Sequence, residues 1–107
     1  MTLQRNANTR YRYPAPVTAV AAATQLEPVD QVVLVTNGTY TITLPAVGES
    51  AGVMISFIQQ GTGVLSVTIA DKGDDPAWTD AIINAQNEKV VAYCDGVAWH
   101  MLAGQTS

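Results

Sequence analysis

TYTITLPAVGESAGVMISFIQQGTGVLSVTIA, Thr39 to Ala70, is the stretch that decides the fold. Every second residue is apolar in Tyr40, Ile42 and Leu44, again in Val53, Ile55 and Phe57, and again in Leu65, Val67 and Ile69. A period of two places each set on one face of a strand and sends the intervening threonines to the other face. β-Branched and aromatic residues suit half-buried pleated surfaces. Each run ends at turn residues: Pro45, Gly61-Thr62-Gly63, and the polar segment that begins at Asp71.

Outward from this stretch the pattern continues. Upstream, Val32 to Thr36 (VVLVT) reads as a strand, and Asn37-Gly38 as a two-residue hairpin turn leading into Tyr40 to Leu44. Gly61-Thr62-Gly63 reads as a second hairpin turn. Val17 to Leu26 mixes four alanines with Val17, Thr18, Val20 and Thr24 and is expected to be extended, with room for a short helical turn. Downstream, Ala81 to Ile83 is a short strand. Lys89 to Cys94 and Val97 to Leu102 form a last hairpin around Asp95-Gly96. In that register Cys94 faces Val97, Ala92 faces Trp99 and Val90 faces Met101. The opposite face carries Val91, Tyr93, Ala98, His100 and Leu102. The expectation is an all-β fold: a small antiparallel β-sandwich, jelly-roll-like or β-barrel domain over residues 17–107, preceded by an extended N-terminal arm over residues 1–16.

The arm and the body differ in charge. Arg5, Arg10 and Arg12 are the arm's charged side chains, whereas the body has only Lys72 and Lys89 against nine acids; the whole chain carries a net charge of −4. Pro14 and Pro16 bias Tyr13 and Ala15 to extended geometry. Arg10 and Arg12 then share one side of the chain, and Tyr11 and Tyr13 the other. These residue types are enriched at interface anchors. The residues leave two readings open, a disordered solvated tail and an arm that orders on a partner or a neighbouring subunit; in the second, Arg5, Arg10, Tyr11, Arg12 and Tyr13 are the expected grip. Nucleic acid is not expected as that partner, because three arginines neutralise few phosphates, so binding would be weak and strongly salt-dependent, and the body is acidic.

Only 13% of the residues are charged while 48% are apolar, which suggests that part of the outside is covered. The second faces of the strands agree. Met54 and Ile58 in one strand, and Tyr93, His100 and Leu102 in the last hairpin, are apolar or amphipathic where a solvated face would be polar. They are the expected subunit-interface residues. Strands covered on both sides need a second layer, which in so small a body is most simply another copy of the chain. No apolar run approaches the roughly 18 residues of a membrane span. The arm lacks the apolar core of a signal peptide, so synthesis and assembly in the cytoplasm are expected.

Sites of chemistry are not evident. Cys94 is the only cysteine and His100 the only histidine, and the register above points them to opposite faces. Cys94 reads as an inert buried thiol. Asp71, Asp74, Asp75 and Asp80 lack the alternating pattern of a calcium loop and read as a solvated acidic loop. Trp78 in that loop reads as its anchor onto the body, with stacking on a sugar as the alternative. Gly61-Thr62-Gly63 lacks the context of a phosphate loop. No catalytic set, metal site or cofactor is expected.

The order of motifs resembles a recurrent β module of tailed-phage virion proteins. GTYTITLPA is followed by AGVMISFIQQGTGVLSVTIA, a polar loop and a late DGVAWHML whose Asp95, Gly96 and Trp99 fit a "D-G-x-x-W" hairpin. The resemblance spans roughly Val17 to Leu102. Members look like head decoration (cement or head-fibre) proteins and some tail-fibre tips. It implies a homotrimer on the outer surface of a phage head, bound to the major capsid protein and stabilising the shell, with no enzymatic activity. The alternative it leaves is a receptor- or glycan-binding tip of a tail fibre. A short chain starting at Met with a basic arm favours decoration over fibre.

Overall fold

A computed structural model describes residues 16–63 and 65–104. Nine strands form two sheets: β1 (Val17–Val20), β2 (Thr24–Gln25), β3 (Gln31–Val35), β4 (Gly38–Thr43), β5 (Met54–Gln59), β6 (Leu65–Ala70), β7 (Ala81–Ile83), β8 (Lys89–Cys94) and β9 (Trp99–Gly104). One short 3-10 turn, Val47–Glu49, lies between β4 and β5. The all-β expectation holds, and Val17 to Leu26 is extended in two short strands.

The pairing within the sheets is mixed, not purely antiparallel. The first sheet has the order β1-β3-β5-β8-β9 and the second β2-β4-β6-β7. From β1 to β6 the chain alternates between sheets, so β1, β3 and β5 pair in parallel, as do β2, β4 and β6. The result is three stacked coils. An antiparallel end follows, in which β7 joins β6 in the second sheet while β8 and β9 extend the first.

This overturns two hairpins expected from the sequence. Asn37-Gly38 and Gly61-Thr62-Gly63 do not reverse the chain within one sheet; each carries it across to the other. A type I′ turn needs positive φ at both central residues, yet only Gly38 has it, at 138°. Asn37 instead uses its side chain to hold neighbouring coils together, its Oδ1 accepting from Gly63 N at 3.0 Å. The corners stack so closely that a Cβ on Gly61 would collide with the side chain and backbone nitrogen of Asn37.

Between the sheets lies one core. Val33, Val35, Ile55, Phe57, Val90 and Ala92 of the first sheet meet Ile42, Val67, Ile69 and Ile83 of the second, all fully buried. The strict alternation in Thr39 to Ala70 supplies most of the second sheet's share. Its threonines point out: Thr41 pairs with Thr68 and Thr39 with Ser66, making a hydroxyl-bearing outer face. Tyr40 ties the coils at one end, its hydroxyl 2.9 Å from Thr36 O and 3.1 Å from Val20 O.

The last hairpin also departs from the expected register. Cys94 pairs with Trp99, Tyr93 with His100 and Ala92 with Met101, with an irregularity between Val91 and Ala92. The connection is thus the four residues Asp95 to Ala98. Asp95 Oδ1 organises it by accepting from Val97 N and Ala98 N, both at 2.8 Å. The shift equals one period of the pleat, so Cys94 and Trp99 still face the core.

Candidate functional site

The outer face of the first sheet gathers the interface residues expected from the sequence. Ile55, Phe57 and Gln59 of β5 are buried, which turns Met54, Ser56 and Ile58 outward. By the same alternation β8 buries Val90, Ala92 and Cys94 and turns out Lys89, Val91 and Tyr93. The pairing makes rows across the sheet. Met54 lies beside Tyr93, and Tyr93 beside His100. Ile58 lies in another row, between Leu34 and Lys89. Leu102 sits at the irregularity of β9 and is 56% exposed.

Four further residues complete this face, and the sequence reading did not include them. Val17 and Ala19 of β1 pair with Val32 and Leu34 of β3. These four join the rows of Ser56 and Ile58. The signal was present in VVLV, which is apolar at both alternations, but only parallel pairing joins it to β5. Of the outward strand residues on this face Lys89 alone carries a permanent charge, while the carboxylates of Asp30, accepting from Met54 N at 2.9 Å, and of Asp95, 2.8 Å from His100 Nε2, stand at its rim. Twelve outward positions, in rows of three, five and four, at about 4.8 Å by 6.8 Å each give a footprint near 400 Å². That lies within the range of the largest apolar patch a soluble monomer usually shows, about 300–600 Å². Val17 at 65% and Met54 at 42% exposure are its most open aliphatic side chains besides Leu102.

The arm residues Arg5, Arg10, Tyr11, Arg12 and Tyr13 lie outside the described residues. The described chain begins at Pro16, whose carbonyl accepts from Val32 N at 2.9 Å. Pro16 thus lies at the β1 edge of this same sheet.

The acidic loop is organised, not merely solvated. Asp71 Oδ2 accepts from Gly73 N and Asp75 N. Asp74 Oδ2 accepts from Val47 N. Asp75 is buried, its Oδ2 accepting from Trp99 N at 2.6 Å and its Oδ1 from Ala77 N at 3.1 Å. Trp78 anchors the loop as expected: its Nε1 donates to Ile69 O at 3.1 Å, and its ring packs on the core. These carboxylates cap backbone N–H groups of their own loop and its neighbours. Among the described residues no three of His, Cys, Asp and Glu cluster to hold a metal ion.

Cys94 and His100 stay apart, on opposite faces. Burial, the largest influence, pushes the Cys94 thiol up, with nearby carboxylates adding to it and the Gly96 N–H opposing it. A thiol so placed is a poor nucleophile. His100 is exposed, and its Nε2 lies 2.8 Å from Asp95 Oδ2. The bond from His100, with the N–H groups of Ala98 and Val97, holds the Asp95 carboxyl down at about 2. No described helix is long and apolar enough to cross a membrane. A scan against protein-family models gives no match, and neither do searches of curated proteins and of solved structures.

Proposed function

We propose that this chain is a structural protein that works by self-association and not by catalysis, most simply a homotrimeric decoration protein on the outer surface of a phage head. The observation that carries the first half is the outer face of the first sheet. A five-stranded face whose strands carry Lys89 as their one permanent charge, with the carboxylates of Asp30 and Asp95 at its rim, is largely apolar and gains from burial at about 25 cal/mol per Å². Parallel strands are also normally covered on both faces, and β1, β3 and β5 form the parallel part of this sheet. Identical chains supply a cover without any opposing charge to accommodate.

The resemblance of Val17 to Leu102 to phage decoration modules supports the second half. In this reading the cationic arm, with Arg5, Arg10, Tyr11, Arg12 and Tyr13, lies over the major capsid protein. Each trimer then bridges neighbouring shell subunits and opposes internal pressure. The effect is a linkage between binding and shell stability, additive over many copies. The protein's place would be the virion surface after synthesis in the host cytoplasm.

Two measurements test this. Mass in solution reports the oligomer directly, and a monomer at micromolar concentration refutes the trimer. Deleting residues 1–15 leaves the Pro16 carbonyl in place and is expected to preserve the trimer while abolishing attachment to heads, as seen by electron microscopy of particles. Undiminished attachment of the truncated protein would refute the role of the arm.

A further inference from the structure

The two sheets have four edges, and one of them is long. β2 and β7, at the edges of the second sheet, have two and three residues, and β1 at one edge of the first sheet has four. β9, at the other edge, runs for six residues and contains no proline and no Asp, Glu, Lys or Arg. No described strand lies beyond it. Natural sheets blunt such an edge with charge, proline, a bulge or a cover, because its unpaired backbone groups accept another strand. The irregularity at Leu102 follows Met101 and leaves Trp99 to Met101 regular. The backbone of Cys94 faces β5, donating to Val53 O and accepting from Gly52 N. Alternation along the ladder then turns Tyr93 toward β9, His100 toward β8, and Trp99 and Met101 to the open edge. Asp75 takes Trp99 N at 2.6 Å, while Trp99 O and both groups of Met101 face outward. Between this edge and the acidic loop there is room, a cleft of about 300 Å³ lined by Ala77, Trp78, Thr79, Trp99, His100 and Met101.

We propose that β1 of a second copy pairs in parallel along β9. β1 has the complementary edge. Val32 N donates to Pro16 O and Thr36 N to Val20 O, so the even-numbered residues of β1 face β3, and Val17 and Ala19 present their backbone groups outward. β1 runs with β3 and β5, β8 runs against β5, and β9 against β8. Therefore β1 and β9 run the same way at opposite edges of one sheet. Setting the partner's Thr18 beside Met101 satisfies the slanted parallel ladder. Met101 N then donates to O of the partner's Val17, whose own N donates to Trp99 O, and N of the partner's Ala19 donates to Met101 O. Trp99 N is not called upon, which suits its bond to Asp75. The same register puts the partner's Val17 beside His100 on the outer face, so the apolar face continues from copy to copy. Two β9 strands about a twofold axis would exchange bonds at Met101 but would next need Trp99 N, which Asp75 already holds. A ring of three also needs two different surfaces on each copy, and these two edges supply them. The contact rests on self-association; a closed trimer is one outcome of a head-to-tail contact and a fibre the other.

The test uses the full-length protein carrying Val17→Cys and His100→Cys, both at exposed positions. In this register their Cα atoms lie about 4.8 Å apart across the contact, within the disulfide range of about 4.4–6.8 Å. Within one chain they sit at opposite edges of a five-stranded sheet, four strand spacings or about 19 Å apart, so a disulfide between them joins two copies. Mild oxidation is expected to give cross-linked multimers from the double variant and none from either single variant, since Cys94 is buried. Ala19→Pro removes the N–H that the contact uses and none that β1 gives to β3. It is expected to weaken association at least about fivefold with unchanged circular dichroism. If the protein is an oligomer by mass but the double variant does not cross-link, the edge contact is overturned and association through the outer face stands. A monomer by both mass and cross-linking overturns both. Cross-linking of His100→Cys alone assigns the edge to a second β9 and also overturns the proposal. Multimers beyond three support the contact and refute the closed trimer.

Discussion

Asp75→Ala probes how the acidic loop is held to the body. The carboxylate is 3% exposed. It accepts from Trp99 N at 2.6 Å in a buried bond and from Ala77 N at 3.1 Å. Removing it loses a charge-assisted bond and leaves a buried N–H without its partner, each costing about 1–3 kcal/mol. Relief of the carboxylate's own desolvation offsets part of this. The net loss should be about 2–4 kcal/mol, or roughly 10–20 °C in Tm for a domain of this size. Asp74→Ala is the control, because its single bond to Val47 N is exposed to water and should be worth less than about 1 kcal/mol. Urea unfolding at fixed protein concentration, followed by tryptophan emission, gives both values. The concentration must be fixed because any self-association would add to apparent stability. If Asp75→Ala unfolds within about 0.5 kcal/mol of wild type at unchanged m, or no earlier than Asp74→Ala, the loop is not fastened through this carboxylate.

Four further outcomes are expected. Gly61→Ala should destabilise by about 1–3 kcal/mol in urea, since its Cβ meets the Asn37 side chain and backbone. Gly52→Ala should lose about 1 kcal/mol for its φ of 82° alone, because nothing occupies the space beside it. Asp95 is held at about 2, below its ordinary 3.8. Its contribution to stability is therefore present above pH about 4 and lost as pH falls toward about 2, and Asp95→Asn should flatten that part of the stability–pH curve. On the outer face, Met54→Arg combined with Leu102→Asp should lower the mass in solution to that of a monomer while leaving the circular dichroism unchanged. An intact oligomer from that variant would exclude this face as the contact.

The alternation in Thr39 to Ala70 made the strands and their inward residues legible. Period two names the face a side chain takes, and Ile42, Ile55, Phe57, Val67 and Ile69 are all fully buried. It does not name the neighbouring strand. Asn-Gly and Gly-Thr-Gly look the same in a hairpin and in a sheet-crossing corner, because glycine serves both: here Gly38 takes a positive φ, while Gly61 and Gly63 make room for Asn37. What separates them is long-range. Asn37 finds its partner at Gly63, and that contact exists only once the coils have stacked. The last hairpin failed more mildly. Asp95-Gly96 does start the turn, but Asp95 Oδ1 reaches two N–H groups and widens the turn to four residues.

The site was legible in fragments for the same reason. Met54, Ile58, Tyr93, His100 and Leu102 could each be seen as outward residues of their own strands. Their extent as a surface could not, because the coiled path brings segments from β1, β3, β5, β8 and β9 side by side. A pure hairpin sandwich would have placed β3 beside β4, joining the apolar outer residues Val32 and Leu34 to the threonine face of Thr39 to Thr43. The alternating path instead sorts by sheet. Valine, leucine, isoleucine and methionine predominate outside the first sheet, beside Ser56, and threonine and serine outside the second, beside the exposed Ile82. The low charge of the whole chain thereby becomes a statement about place: most described charges fall in loops, leaving one broad face apolar and the other hydroxylated. A two-sheet body so divided buries its first face against other copies more cheaply than its second, since the threonine hydroxyls would each need a partner to replace water.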